Sequence, residues 1–296
     1  MIEYRNENEI VIHSLGRSGS HAIMNWIASM FKEPVYCFNN CPLADPYRAR
    51  IPYIKRVRKR PMEKFFVPIP RFKNAFENEI SVYRNIHKHC LMYSYEHKDI
   101  RLLKDGEFIQ DRNLVGESKN RYNVLILRDV FNWLGSLLMT REEVRPKLSL
   151  YPEYNTSGRK DWAEHASIIP GRNYRTTTKE YLGFWKCYAE EFLGKTNYLK
   201  DKRICISFNQ WFSNEGYRIK IADLFNLEYS GLSLDYAGSP SSFDKKDYYM
   251  GGAEEMGALD RWKILKDNII YQEILDYVPE VKELSYEIFG KEIGGV

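Results

Sequence analysis

Four short apolar runs punctuate the chain, at residues 9–14 (EIVIHS), 90–95 (CLMYSY), 123–127 (NVLIL) and 203–208 (RICISF). Runs of this length, apolar on consecutive positions, read as strands covered on both faces. Apolar residues recur at helical spacing in 20–31, 130–140, 179–193, 216–226, 267–277 and 280–289. Strands alternating with amphipathic helices predict an α/β fold, a central parallel sheet flanked by helices in three layers. No internal repeat and no linker divides the chain, so a single domain over 1–296 is expected. Two inserts break the alternation, at about 40–75 and 141–178. Both are rich in proline, and loops this long in a compact domain usually carry function.

The first strand runs into a loop, Gly16-Arg17-Ser18-Gly19-Ser20, and then into a helical pattern through Ile23, Trp26, Ile27 and Met30. A helix N-terminus offers backbone N–H groups and a partial positive charge. Gly16 and Gly19 let the backbone curl round an anion, Ser18 and Ser20 add hydroxyls, and Arg17 adds a permanent cation. Ser20 also suits the N-cap. A plain, well-capped turn is the alternative. A Walker loop would continue Gly-Lys-Ser/Thr, whereas His21 and Ala22 follow here, so an anion held without magnesium fits better than a metal-bound triphosphate. A second strand-to-helix passage, NVLILRDVFNWLGSLL, puts Arg128 and Asp129 at a strand's carboxyl end, where open α/β sheets bind ligands. Ser136 lies eight residues after Arg128, about two helical turns on.

Taken together, the two segments resemble the P-loop-like sulfotransferases that use 3′-phosphoadenosine 5′-phosphosulfate (PAPS). The fold this implies is a three-layer sandwich of the P-loop NTPase type. In that family a loop of the type P-K-S-G-T-T-W holds the 5′-phosphosulfate; Gly16, Arg17, Ser18, Gly19, Ser20, His21 and Ala22 match it. A strand, an Arg and a Ser eight residues later hold the 3′-phosphate, matched by Arg128 and Ser136. Phe208 falls where the family places an aromatic beside adenine. The stretch SPSSFDKKDYYMGG, with Ser242, Phe243, Lys245 and Lys246, resembles the loop that closes over the nucleotide, and a later Trp-Lys resembles its continuation. The resemblance spans about residues 9–265. Arg17 stands for the usual Lys, His21-Ala22 stand for Thr-Trp, and the closing loop's Arg-Lys-Gly is not present.

The resemblance implies PAPS as sulfuryl donor, the bisphosphate PAP as product, no metal, and a base at the end of the second strand. Glu96 and His97 stand there. His97 is favoured because an unperturbed imidazole titrates near neutrality, and only one of the two neighbours is expected to face the donor. His87 and His89 precede that strand and read as surface residues at its wrong end. Arg17 would stabilise the leaving 5′-phosphate.

Composition narrows the rest. The net charge of +4 does not by itself require a nucleic-acid partner. Eight Lys/Arg fall within 48–64, interleaved with Tyr53; this stretch reads as a wall for an anionic acceptor, a nucleic-acid surface or a solvated face. The five scattered cysteines point to reduced thiols and a cytoplasmic location, and Cys37 and Cys41 have no second pair to complete a zinc site. No run approaches the roughly 20 apolar residues of a membrane span. Trp185, in a stripe with Tyr181, Leu182 and Tyr188, reads as core. The insert 141–178, with Arg159, Lys160, His165, Arg172 and Arg175, is a candidate acceptor-side lid. The expected activity is sulfuryl transfer to a hydroxyl of a carbohydrate or glycoconjugate. A P-loop small-molecule kinase and a non-catalytic nucleotide-binding relative are the alternatives, and oligomeric state is not legible.

Overall fold

The computed structural model describes residues 4–48, 51–55, 65–66, 84–139, 174–200, 202–231 and 256–293. In chain order the strands are β1 (Asn6–Ser14), β2 (Val35–Asn39), β3 (Ile51–Lys55), β4 (Phe65–Phe66), β5 (Lys88–Glu96), β6 (Ser118–Leu127) and β7 (Arg203–Ser207). The helices are α1 (Ser20–Ser29), α2 (Val130–Leu138), α3 (Tyr174–Phe192), α4 (Phe208–Ser213), α5 (Glu215–Leu224), α6 (Arg261–Leu265), α7 (Ile269–Leu275) and α8 (Glu280–Phe289). The strands form one sheet in the order β4-β3-β2-β5-β1-β6-β7. The five strands from β2 to β7 in that order pair in parallel. β3 and β4 extend the edge antiparallel.

The parallel pairing explains the continuous apolar runs. Alternate residues of a strand face opposite sides. Val124 and Ile126 join Ile10, Ile12 and the buried face of α1 in one cluster. Leu125 and Leu127 join α2, α3, α7 and α8 in another. Helices cover both faces, as expected for an α/β sandwich. Trp185 is fully buried in the second cluster, in the packing role its stripe predicts. His13, on β1, is also fully buried, with Nε2 3.3 Å from Asn123 Oδ1. Burial lowers its pKa to about 4.

The elements depart from the sequence reading at several points. The run at 203–208 stops at Ser207, whose hydroxyl accepts from the Gln210 amide (3.2 Å) and starts α4 with Phe208 as its first residue. β2 is a further parallel strand, and the 40–75 insert supplies β3 and β4 rather than loop alone. The short α6 was not expected either. No disulfide joins the five cysteines among the described residues. Among the described residues no helix is long and apolar enough to cross a membrane.

Candidate functional site

The carboxyl ends of β1, β5 and β6 meet at one edge, where Ser14 pairs with Glu96 on one side and Ile126 on the other. The chain leaves β1 through Leu15 and turns at Gly16–Gly19. Arg17 (φ 74°) and Gly19 (φ 81°) are both left-handed. That conformation costs an L-residue roughly 1–2 kcal/mol, so Arg17 is held there by its neighbours. The Ser18 amide donates to the Leu15 carbonyl (3.1 Å), and Trp133 Nε1–H donates to the Gly16 carbonyl (2.9 Å). At Gly19 a Cβ would come within 2.2 Å of the Phe208 ring. Glycine is therefore required at 19 for conformation and for space.

Gly19 is also the N-cap of α1, in place of the expected Ser20. The reason lies in the loop: the left-handed Gly19 turns the chain into the helix, and the Ser20 hydroxyl faces Glu96 Oε1 at 3.4 Å. The first helical bond is Ile23 N–H to Gly19 O (3.2 Å), so the amides of Ser20, His21 and Ala22 lie beyond the helical ladder, at the positive end of the helix. Ser18 is fully buried beside them, and its hydroxyl has no hydrogen-bond partner among the described residues. Arg17 is exposed.

Arg128 follows β6 and is buried. Its Nη1 donates to Ser136 Oγ (3.0 Å) and to the Arg17 carbonyl (3.2 Å); its Nη2 donates to the Ala258 carbonyl. The guanidinium lies 5.0 Å from the Phe208 ring centre. Every one of these partners is neutral. The neighbouring carboxylate, Asp129, is engaged elsewhere: it caps α2 through the Asn132 amide (2.8 Å) and accepts from Asn209 Nδ2 (2.9 Å). A second buried guanidinium, Arg261 on α6, donates from Nη1 to the same Ser136 Oγ at 2.6 Å. The Ser136 hydroxyl itself donates to the Asn132 carbonyl (2.7 Å). Burial, and then the charge of Arg261, pull the Arg128 pKa far below the usual guanidinium value, to about 9. Two guanidinium groups thus converge on one buried hydroxyl, an arrangement that suits an anion. The contact from Arg128 to the Arg17 carbonyl joins this cluster to the loop, and Trp185 Nε1–H holds the Arg128 carbonyl (2.9 Å).

At the end of β5 both Glu96 and His97 reach the loop, although strand alternation predicts that only one does. The strand has ended: His97 has φ 53°, which breaks the alternation. The Gly16 amide donates to His97 Nε2 (3.1 Å), and the ring stacks on Tyr181 with centroids 4.0 Å apart. Nε2 is thus an acceptor, and in the neutral ring Nδ1 carries the proton. A Cβ at Gly16 would lie 2.4 Å from that Nε2. Glu96 turns to the start of α1, against Ser20 and 3.7 Å from His21 Nε2. His21 is exposed, and its Nε2 lies 2.6 Å from Asn39 Nδ2 on β2. Asn39 Oδ1 in turn accepts from Ser94 (2.7 Å).

The structure therefore brings Gly16 to His21, Glu96, His97, Arg128, Ser136 and Phe208 to one sheet edge. Phe208 is buried beneath Gly19 and Arg128 rather than open to a ligand. The ring that borders open space is Phe212, one turn on and 5.7 Å from Phe208; with Ser213, Met256 and Ala258 it lines a cleft of about 370 Å³. Arg261 and Phe212 were missed by the sequence reading. Arg261 immediately precedes the Trp262-Lys263 pair of the last motif, and Phe212 repeats Phe208 at helical spacing. Ser242, Phe243, Lys245 and Lys246, positions 141–173 of the candidate lid and most of the basic stretch lie outside the described residues; the last positions of that lid, 174–178 with Arg175, are the first turn of α3 rather than loop. No family model matches the chain, and a search of curated proteins finds no match either.

Proposed function

We propose that the chain is a PAPS-dependent sulfotransferase acting on an acceptor hydroxyl, of a carbohydrate or glycoconjugate. The observation that carries this reading is the convergence of Arg128 and Arg261 on Ser136, hydrogen-bonded to the glycine loop through the Arg17 carbonyl. A nucleotide with phosphate groups at both ends of its ribose needs two adjoining anion sites. The arginine pair suits the 3′-phosphate, since guanidinium forks match phosphate oxygens. The start of α1, with Arg17 and the buried Ser18 hydroxyl, suits the 5′-phosphosulfate. Phe212 and the cleft beside it suit the adenine.

In the proposed reaction the acceptor oxygen attacks sulfur in line. The S–O bond to the 5′-phosphate breaks, its electron pair leaves with PAP, and the acceptor proton passes to a base. Arg17 and the α1 amides neutralise the charge that grows on the leaving phosphate. We assign the base to Glu96, which stands at the rim beside Ser20 and His21. His97 is assigned as a positioning residue, because its Nε2 is engaged by the Gly16 amide. The exposed Arg17 and His21 and the half-buried Asn39 border the loop, and the oxygen and charge groups of a glycan suit them.

A thermal-shift comparison tests the reading. Adenosine 3′,5′-bisphosphate in EDTA is expected to raise the unfolding midpoint more than ATP with magnesium does, because only a ligand that binds the folded state stabilises it. A larger shift with ATP and magnesium overturns the proposal in favour of a kinase.

A further inference from the structure

At the opposite edge of the sheet, where β1 and β5 begin, three potential metal ligands converge. Parallel register places Glu7 beside His89, between the pairs Asn6–Lys88 and Asn8–Cys90. Lys88 is buried, and alternation turns both His87 and His89 outward on the same side. The two carboxylate oxygens of Glu7 divide between them: Oε1 lies 3.7 Å from His87 Nε2, and Oε2 lies 3.4 Å from His89 Nδ1. All three ligand atoms lie within 4.8 Å of one another. The rings meet edge to face, with centroids 5.6 Å apart and planes at 83°.

We propose that Glu7, His87 and His89 bind a divalent transition-metal ion of the zinc type, clipping β1 to β5. Ligands about 2.0–2.1 Å from a tetrahedral ion stand roughly 3.3 Å from one another. The separations of 3.4 and 3.7 Å already approach that value. The third side of the triangle closes by rotation of side chains that are about half exposed, at 52% for His87, 46% for His89 and 48% for Glu7. A second contact orients one ligand. His87 Nδ1 lies 3.4 Å from the Tyr4 carbonyl, which can only accept; Nδ1 therefore carries the proton, and the Nε2 lone pair points to the site. Metal-binding histidines are commonly held in this way. Two imidazoles and one carboxylate select zinc, copper, nickel or cobalt over magnesium and calcium, which prefer oxygen ligands. Three protein ligands leave one position for water. The site is independent of the proposed sulfuryl transfer. Nine-residue strands rising about 3.3 Å per residue set it roughly 27 Å from the glycine loop.

The test is calorimetric titration of the full chain, with any affinity tag removed, using Zn(II) and separately Mg(II). Cobalt(II) absorption reports the ligand geometry. Wild type is expected to bind one zinc, with intense tetrahedral cobalt bands. His87→Ala, His89→Ala and Glu7→Gln are each expected to weaken zinc binding at least ~10-fold, the lower end of losses seen even for outlying partners of a metal site. All three side chains are exposed, so metal-free unfolding midpoints are expected to match wild type; this separates loss of the site from loss of the fold. Unchanged zinc affinity in the His87→Ala/His89→Ala double variant overturns the proposal, as does magnesium binding as tightly as zinc, or no zinc binding by wild type.

Discussion

Ser18→Ala is expected to strengthen the free protein and weaken it as a binder. The hydroxyl is fully buried and has no partner among the described residues. An unsatisfied buried polar group costs about 1–3 kcal/mol. Alanine removes the hydroxyl and forfeits a few dispersion contacts, leaving a net gain of about 1 kcal/mol. For a domain of this size that raises the unfolding midpoint by about 2 °C. If the hydroxyl instead serves the 5′-phosphosulfate, the complex loses a hydrogen bond to a charged group, worth about 1.5–3 kcal/mol. Affinity for adenosine 3′,5′-bisphosphate should then fall by roughly 10- to 150-fold. Differential scanning calorimetry of the free protein and titration calorimetry with the bisphosphate read the two effects separately. A variant that is less stable and binds equally well refutes the reasoning, because Ser18 would then be a structural hydroxyl satisfied within the fold.

Three further outcomes follow from the same geometry. Glu96→Gln should lower kcat about 10²-fold, the scale of losing a general base, with nucleotide affinity nearly unchanged; equal turnover removes Glu96 as the base. His97→Ala frees the Gly16 amide and should raise the KM for PAPS more than it lowers kcat, and a pure kcat effect would instead make His97 the base. His13 is buried neutral, so between pH 6.5 and about 4 the unfolded chain binds more protons than the folded one, and stability falls as pH drops. The loss is about 2 kcal/mol by pH 5 and about 3 kcal/mol by pH 4; urea unfolding of wild type and His13→Gln at pH 7 and 5 should show this extra loss only in wild type.

The framework of the fold was legible because buried parallel strands announce themselves. VLIL, residues 124–127, can only be apolar throughout when Val124 and Ile126 face one helical layer and Leu125 and Leu127 the other. β2 escaped because VYCFN is short and its Tyr36 and Asn39 are only half-buried, which blurs the run. Phe208 was absorbed into the preceding strand because an aromatic prolongs an apolar pattern; the Ser207 cap that ends it is a single polar contact. The loop and the Arg128–Ser136 pair were legible because each is local, within eight residues. Arg261 was not, since it lies 125 residues from the serine it shares with Arg128, and no spacing rule spans that distance. The orientation of His97 depends on its positive φ, which an eight-letter stretch such as SYEHKDIR does not disclose.

The central claim is that two adjoining anion sites receive one nucleotide. Titration calorimetry of adenosine 3′,5′-bisphosphate against 5′-AMP, both without magnesium, tests it most directly. The two ligands differ only in the 3′-phosphate assigned to Arg128, Ser136 and Arg261. The bisphosphate should bind at least about 100-fold more tightly, a difference of about 2.7 kcal/mol. Equal affinities would contradict the assignment of the arginine pair and, with it, the sulfotransferase reading.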